Sequence, residues 1–340
     1  MKIGIHSLYE VFNIENNIFK SDTYKIGENL EYPIVLLRNH IMSMGCSLDT
    51  LDIYPLEEFK KIIFLDYPKL TDDDLQKLID LKIELYLVIL ESELIYPKNF
   101  DKKRHSLFKK IFTWADDLID NDKYFKLNLC NKIPDNFSIN LDQKIKFCAN
   151  ISGNKKSKLP NELYSERVKA IDWFEKNHPS DLDLYGFDWN KFTFTFPFSR
   201  LNKFTFLRNL FGKKYLVYKG SLEKKLETLK MYRFSICYEN IKANNGYVSE
   251  KIFDCFFAGT IPIYLGEENI QNLIPSNTFI DKRFFVTYEE LYEYISKMSL
   301  EEYKSYVNAI ENFVNGDEIY PFSAECFVNV ICENIELPIL

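Results

Sequence analysis

Glycine and proline are scarce in this sequence, with 11 glycines and 12 prolines among 340 residues. Disordered and linker-rich chains are enriched in these residues and poor in aromatic ones. Here 46% of the residues are hydrophobic and 16% are aromatic, so the composition excludes a largely disordered chain. A chain of this length is expected to form about two domains, at roughly 100–200 residues per domain.

A net positive charge is also missing. The formal charge at pH 7 is −7, whereas proteins that bind nucleic acids in general present positive stripes to the phosphates. We therefore expect no nucleic-acid partner. A local basic pocket for one small anion stays compatible with this charge.

Paired cysteine motifs and long apolar runs are absent. The seven cysteines are scattered without a CxxC motif, and the four histidines lack ligand-like spacing, so we expect reduced thiols and no metal site. The apolar stretch "IELYLVIL" is too short to span a bilayer. The start "MKIGIHSLYE" lacks the basic and apolar regions of a signal peptide. These features predict a cytoplasmic protein.

Short β-like runs alternate with helix-like segments along the chain. Examples are the strands "KIGI", "KKIIFLDYP", "RFSICYEN" and "TIPIYLG" and the helices "TDDDLQKLIDL" and "SEKIFDCFFAG". This alternation predicts an α/β fold with two Rossmann-like domains and parallel sheets. The linker-like stretch "NKIPDNFSINLDQ" suggests domains at 1–140 and 141–340. In "TDDDLQKL" we interpret Thr71 as an N-cap before acidic first-turn residues, rather than the aspartates as a metal cluster.

One candidate site follows the strand "FSICYEN", which is predicted to end at Glu239 and Asn240. Ser249 is a plausible N-cap of the next helix and puts Glu250 and Lys251 in its first turn. Free N–H groups and the lysine charge at a helix start favour a phosphate or diphosphate. An ordinary capped helix with an adjacent charge pair is the alternative interpretation.

The loop before this helix contains Asn244, Asn245 and Gly246. Such residues allow a backbone to bend closely over a bound group. Glu250 would repel a phosphate, so we expect it to face hydroxyl groups such as those of a ribose.

Arg167 and Glu91 are two further candidates. Arg167 lies at the edge of an apolar helical stripe. Its guanidinium could contact phosphate oxygens, or only extend into water. Glu91 ends the strand "IELYLVIL", where a carboxylate at the ligand edge of a sheet can act as a general base. An ordinary loop carboxylate is the alternative there.

The stretch "FSICYENIKANNGYVSEKIFDCFFAGTIPIYLG" closely resembles the signature of the family 10 glycosyltransferases, the α-1,3/1,4-fucosyltransferases. Supporting pieces include "ILESELIYP", "YSERVKAIDWF", "DLYGFDW" and "FIDKRFF". The resemblance implies a GT-B-like architecture of two facing Rossmann-like domains, with the terminal helix able to pack back on the first. It also implies that the donor, GDP-fucose, binds mainly to the second domain and that transfer inverts the configuration at the anomeric carbon.

The resemblance also assigns roles to individual residues. It implies Lys251 and Arg167 as diphosphate contacts and Glu91 as the general base. Because the sequence reads "ESELIYP" where the family has an "ESP"-like stretch, Glu93 stays a rival. The other implied donor-binding residues are Lys219, Asn240, Tyr247 and Glu250.

The implied function is transfer of fucose to a glycan hydroxyl, expected to be O3 of a GlcNAc-type residue, in an oligosaccharide or glycolipid acceptor. The resemblance implies no metal ion and no cofactor beyond the donor substrate. It leaves open peripheral contact with the inner face of the membrane. The alternatives are a transferase of another GDP-sugar and a non-catalytic protein that binds nucleotide sugars.

Overall fold

The computed structural model describes residues 1–21, 29–192, 194, 197–243 and 245–340. These residues form two compact units. Unit 1 comprises Met1–Ile133, Asn244–Tyr247 and Asp317–Leu340, and unit 2 comprises Pro134–Ala243 and Val248–Gly316. The chain thus first passes from unit 1 to unit 2 inside the stretch 131–143, which has the most linker-like sequence.

Strands and helices occur along the whole of the described chain, and they alternate one by one from β7 to β11. The strands are β1 (Lys2–Ser7), β2 (Ser47–Thr50), β3 (Phe59–Leu65), β4 (Glu84–Ile89), β5 (Lys110–Thr113), β6 (Tyr124–Lys126), β7 (Lys146–Ile151), β8 (Leu182–Tyr185), β9 (Tyr218–Gly220), β10 (Tyr232–Ala243), β11 (Ile261–Glu267) and β12 (Ile280–Asp281). The helices are α1 (Tyr32–Ser43), α2 (Asp72–Asp80), α3 (Tyr164–Asn177), α4 (Thr205–Leu210), α5 (Lys225–Leu229), α6 (Glu250–Phe257), α7 (Tyr288–Lys297), α8 (Leu300–Asn315) and α9 (Ala324–Asn334).

Each unit contains one six-stranded sheet. The strand order is β2-β1-β3-β4-β5-β6 in unit 1 and β12-β11-β10-β7-β8-β9 in unit 2. All neighbouring strands in both sheets are parallel. The predicted α/β class with parallel sheets is therefore confirmed.

The sheet of unit 1 is buried on both faces, as parallel sheets require. In β3, Ile63 and Leu65 pack into a cluster with α1 and α9. The alternate residues Ile62 and Phe64 pack into a second cluster with α2. This two-sided burial explains why β3 is a nearly continuous apolar run and not an alternating one.

Helix α2 begins as its sequence predicts. The Thr71 side chain accepts a hydrogen bond from the Asp74 N–H, and the Asp74 side chain bonds back to Thr71. This capping box confirms Thr71 as the N-cap, and it explains the acidic run as first-turn residues that favour the helix dipole. Within the described ranges, no group of three or more His, Cys, Asp or Glu side chains could hold a metal ion.

Strand β10 is longer than its sequence predicts. The predicted end at Glu239 and Asn240 is wrong, because the strand continues to Ala243. The extension pairs with the segment before α3: Leu163 donates to the Asn240 carbonyl at 2.9 Å, and Lys242 donates to the Asn161 carbonyl at 2.7 Å. A segment distant in sequence therefore holds in the strand residues whose local sequence predicts a loop.

In the part of the chain that the structure describes, no helix combines the length and the apolar character that crossing a bilayer requires.

Candidate functional site

Each sheet has one position at which the strand order reverses. It lies between β1 and β3 in unit 1 and between β7 and β10 in unit 2. Ligands of open parallel sheets bind beyond the carboxyl ends of the strands at such a position. Candidate functional residues are therefore expected at one edge of each sheet.

Glu91 lies at this edge of unit 1, two residues after β4, and is partly buried. Its Oε1 accepts a 2.7 Å hydrogen bond from the hydroxyl of Tyr9, which follows β1. Partial burial and this hydrogen bond raise the pKa of Tyr9, so the phenol stays protonated and keeps donating. Glu93 is exposed. The Glu91 carboxylate is thus held in position by Tyr9. Tyr9 was not identified as a functional residue from the sequence.

Asp66 holds the backbone at Glu91, and sequence reasoning missed this residue too. It is buried directly after β3, with a φ of 63°. Its Oδ1 accepts from the N–H groups of Leu90 at 2.8 Å and Glu91 at 2.9 Å, and from Asn99 Nδ2 at 2.7 Å. One signal could have indicated it: an aspartate directly after an apolar strand, at the ligand edge.

Ser249 caps α6 in unit 2, as predicted, since its Oγ accepts from the Lys251 N–H. The fully buried Glu239 accepts from Ser249 N at 2.8 Å, from Ser249 Oγ at 2.7 Å and from Lys251 Nζ at 3.1 Å. Lys251 Nζ also donates to Ser249 Oγ at 2.8 Å. Glu239 therefore ties the start of α6 to β10 and orients the lysine, a role that its sequence position alone did not indicate.

Arg167 is buried against the same strand. Arg167 is only 4% exposed. Its Nη2 donates to the carbonyls of Tyr238 at 2.8 Å and Glu239 at 3.2 Å. The alternative in which the guanidinium extends into water is therefore wrong. Burial lowers the pKa of Arg167, but an arginine stays protonated in proteins. A buried positive charge thus lies against the middle of β10.

A cavity of about 20 Å³ lies at the reversal point of unit 2, between β7 and β10. Arg167, Lys225 and Lys251 all line it. A volume of this size has room for about one water molecule. Lys225, which sequence reasoning missed, also forms an ion pair with Asp254 of α6. Three cationic side chains around one small cavity at a helix start favour an anionic ligand.

Glu250 directly precedes Lys251 in the chain, and Asn240 directly follows Glu239. Burial opposes ionisation of Glu250, but the charges of Lys251 and Lys225 outweigh it and lower the pKa of this carboxyl. Its Oε1 is 3.8 Å from Lys251 Nζ. An ionised carboxylate accepts hydrogen bonds only, which suits hydroxyl groups. Asn240 is partly exposed and accepts from Leu163 through its carbonyl.

Tyr247 belongs to unit 1, where it is buried. Its ring meets that of Trp114 edge to face, with centroids 4.7 Å apart. Within unit 1, Tyr247 therefore packs against Trp114, the residue that follows β5.

The loop before Tyr247 is tightly packed. The Asp116 N–H donates to the Asn245 carbonyl at 2.7 Å. Gly246 has a φ of 94°, and a Cβ at this position would come within 2.7 Å of the Trp114 carbonyl oxygen. Asn244, the third residue predicted to let the loop bend, lies outside the described residues. At position 246, only glycine fits the backbone without strain or a clash.

Lys219 is not brought together with Arg167 and Lys251. It is exposed on β9, the edge strand of the sheet, and its Nζ is 3.4 Å from Asp183 Oδ1. The same aspartate accepts from Lys146 at 2.8 Å. Lys219 does not line the cavity.

Residues 198–333 match the family model described as "Glycosyltransferase family 10 (fucosyltransferase) C-term". An alpha-(1,3)-fucosyltransferase from Helicobacter pylori is 36% identical to this chain over 75 residues. That match covers 22% of this chain and only 16% of the relative's length.

Solved structures resemble the whole chain at low identity. A structure titled as an alpha1,3-fucosyltransferase with GDP-fucose has a TM-score of 0.53 at 14% identity and covers 100% of this chain and 91% of its own. A chain from Anabaena in complex with UDP has a TM-score of 0.57 at 10% identity and covers 99% and 100%. Likeness at these identities shows the fold, and it confirms the predicted GT-B-like class.

Proposed function

Because residues 198–333 match the C-terminal family model of the family 10 fucosyltransferases, we propose that this chain transfers L-fucose from GDP-fucose to a hydroxyl group of a glycan. The observation that carries the proposal is that the buried Arg167 and the partly buried Lys251 line one cavity at the reversal point of unit 2. The proposed acceptor atom is O3 of a GlcNAc-type residue, and the proposed transfer inverts the anomeric configuration.

Unit 2 provides the donor half of the proposed reaction. As the bond to fucose breaks, GDP gathers negative charge. Lys251, Arg167 and the N–H groups at the start of α6 then stabilise that charge most strongly in the transition state. The cavity holds about one water molecule, so we expect Lys251 to exchange part of its contact with Glu239 for the diphosphate.

The sugar and nucleoside are assigned to neighbouring residues. In this proposal Glu250 accepts from hydroxyl groups of the donor, Asn240 lines the remainder of the donor pocket, and Tyr247 is a further donor contact. Lys219 would reach the donor only after leaving Asp183, which makes it the outermost of these residues.

Unit 1 provides the acceptor half. A sugar hydroxyl is a weak nucleophile at neutral pH, and a positioned carboxylate that removes its proton contributes about 10²–10⁴-fold in rate. We assign this role to Glu91. Tyr9 orients its carboxylate and Asp66 holds its backbone, so both act as positioning residues.

A second candidate function is transfer of another sugar from a GDP-linked donor. The specific observation in its favour is that the best-defined contacts, those of Arg167 and Lys251, suit a diphosphate and not a particular sugar. Donor choice therefore has to be tested directly.

The purified protein should be incubated with GDP-fucose or GDP-mannose and with acceptors that end in GlcNAc or LacNAc. We expect GDP release and a product one deoxyhexose heavier with GDP-fucose alone. Turnover only with GDP-mannose would establish the second candidate. We also expect the rate to persist in EDTA, since cationic side chains neutralise the leaving group; loss of turnover would show that a divalent ion takes part.

The diphosphate assignment is tested by Lys251→Ala. A hydrogen bond to a charged group contributes about 1.5–3 kcal/mol, so the Kd for GDP, measured by calorimetry, should rise about 10- to 150-fold. The matched control is Lys242→Ala, which removes an exposed lysine paired with Glu268 and should leave the Kd unchanged. Equal affinities in both variants, with folding verified by circular dichroism, would exclude Lys251 as a diphosphate contact.

A further inference from the structure

The connection between β8 and β9, residues 186–217, exposes many large apolar side chains. Phe198 is 62% exposed, Phe206 74% and Leu216 76%. The other exposed apolar residues of this connection are Phe187, Phe192, Phe204, Leu210 and Phe211. Single exposed apolar residues are common, but such a concentration marks an interaction surface.

These side chains are not used to cover the sheet. A connection between adjacent parallel strands ordinarily packs a helix against the sheet. Here α4 has six residues, and neither α4 nor the preceding 3-10 helix, Phe198–Lys203, has a buried residue. Within the described part of the connection, Trp189 and Val217 are buried, but the exposed apolar residues of the 3-10 helix and of α4 are not packed into the core of unit 2.

Hydrogen bonds join distant described residues of the connection. The Asn202 side chain accepts from the Phe194 N–H at 2.9 Å and donates to the Phe194 carbonyl at 2.8 Å. Arg208 donates to the Phe192 carbonyl at 3.1 Å and to Asp188 at 2.7 Å. The apolar residues are thus presented on a cross-linked segment.

The connection is also strongly basic. Residues 187–216 contain six lysines and arginines and a single acidic residue, Asp188, in a chain whose formal charge is −7. Asp188 pairs with Lys191 and Arg208. Within the described residues, the exposed Arg200, Lys203 and Lys214 have no ion-pair partner. The local charge is therefore opposite in sign to that of the whole protein.

We propose that the β8–β9 connection binds the surface of an anionic membrane. Interfacial binding combines exposed aromatic and aliphatic side chains, which enter the boundary of the acyl chains, with lysines and arginines that attract anionic headgroups. A second copy of the same surface is a poorer partner, because two positive surfaces repel each other. This proposal does not depend on the sugar that the protein transfers.

Vesicle co-sedimentation with the full chain tests the proposal. We expect binding to vesicles of phosphatidylcholine mixed with phosphatidylglycerol, weakening as salt is raised, and little binding to phosphatidylcholine alone. Absence of binding, or equal binding to both vesicles, would overturn it. A dimer in size-exclusion chromatography without vesicle binding would assign the surface to a second copy instead.

Two sets of variants locate the surface. Each basic residue near an anionic surface contributes about 1 kcal/mol. The combined change Arg200→Gln, Lys203→Gln and Lys214→Gln should therefore lower partitioning on the order of a hundredfold. Phe198→Ser with Phe206→Ser should lower it as well, at unchanged charge.

The matched control is Phe284→Ser. Phe284 is 84% exposed and follows β12, at the opposite edge of the same sheet, so partitioning should be unchanged. A loss equal to that of the other variants would place the binding surface elsewhere. Circular dichroism verifies that each variant is folded.

Discussion

Glu91 and Glu93 are two residues apart but have different surroundings. Glu91 is partly buried and accepts a hydrogen bond from Tyr9, whereas Glu93 is exposed. A general base must be held within reach of the proton that it removes. Geometry therefore favours Glu91 over Glu93 for this role.

Glu91→Gln should lower the transfer rate by about 10²–10⁴-fold, because an amide cannot take up the acceptor proton. The Kd for GDP should be unchanged. Glu93→Gln is the matched control and should retain the wild-type rate. The assay is GDP release at saturating donor and acceptor; loss of activity in the Glu93 variant alone would reverse the assignment.

Asp66 is a buried carboxylate that holds the backbone at Glu91. Burial raises the pKa of Asp66 to about 6; hydrogen bonds from Glu91 and Leu90 oppose this shift. The ordinary pKa of an aspartate in an unfolded chain is about 3.9. Between these values the folded protein holds a proton that the unfolded chain releases, so this group favours the folded state at low pH and loses that contribution as the pH rises through 6.

Asp66→Asn removes this titration and preserves the Oδ1 acceptor. The free energy of unfolding of the wild type, relative to this variant, should fall by about 2–3 kcal/mol between pH 4 and pH 7. Urea unfolding at several pH values measures it. A difference that does not change with pH would show that Asp66 ionises normally in the folded protein.

At the scale of the element, the loop between β10 and α6 depends on Gly246. Its φ of 94° and the nearby Trp114 carbonyl leave no room for a side chain. Gly220 has a φ of 96°, but nothing lies within 4 Å of a Cβ added there. Alanine substitutions at the two glycines therefore distinguish the free-energy cost of backbone strain from that of a steric clash.

Gly246→Ala and Gly220→Ala should both destabilise the fold, since strained backbone conformations cost about 1–3 kcal/mol. The alanine at 246 should cost more, because its Cβ also displaces backbone at residue 114. Unfolding in urea gives both values. Equal losses would mean that the loop yields to the added methyl group.

At the scale of the whole molecule, the last helix completes the core of unit 1. Ile331 and Val328 of α9, and Ile335 directly after it, are fully buried in a cluster with Leu37 and Ile41 of α1. These helices are separated by most of the chain length. Unit 1 is therefore complete only when residues from both ends of the described chain have come together.

Ile331→Ala should lower the free energy of unfolding by about 2–5 kcal/mol, because it leaves a cavity in this cluster. Ile339→Ala removes the same atoms from an exposed position and should change stability by less than about 0.5 kcal/mol. Urea unfolding compares the two. A small loss at Ile331 would indicate that α9 contributes little to the stability of unit 1.

Features set by neighbouring residues were predictable from the sequence. Thr71 and Ser249 cap their helices because a cap depends on residues two or three positions away. The alternation of strands and helices likewise indicated parallel sheets. The end of β10 was not predictable, because residues 161–163 hold the extension and nothing local marks that pairing.

The sequence by itself determined the α/β class, the helix caps Thr71 and Ser249 and the candidate residues Glu91, Arg167 and Lys251, since these follow from local periodicity, capping and motif spacing. Only the tertiary structure decided which side chains contact and orient these candidate residues. Tyr9 and Asp66 reach Glu91 because parallel pairing brings the ends of β1, β3 and β4 to one edge of the sheet. Glu239 reaches Lys251 because β10 runs beside the start of α6. Such contacts depend on strand order, which no local pattern in the chain encodes.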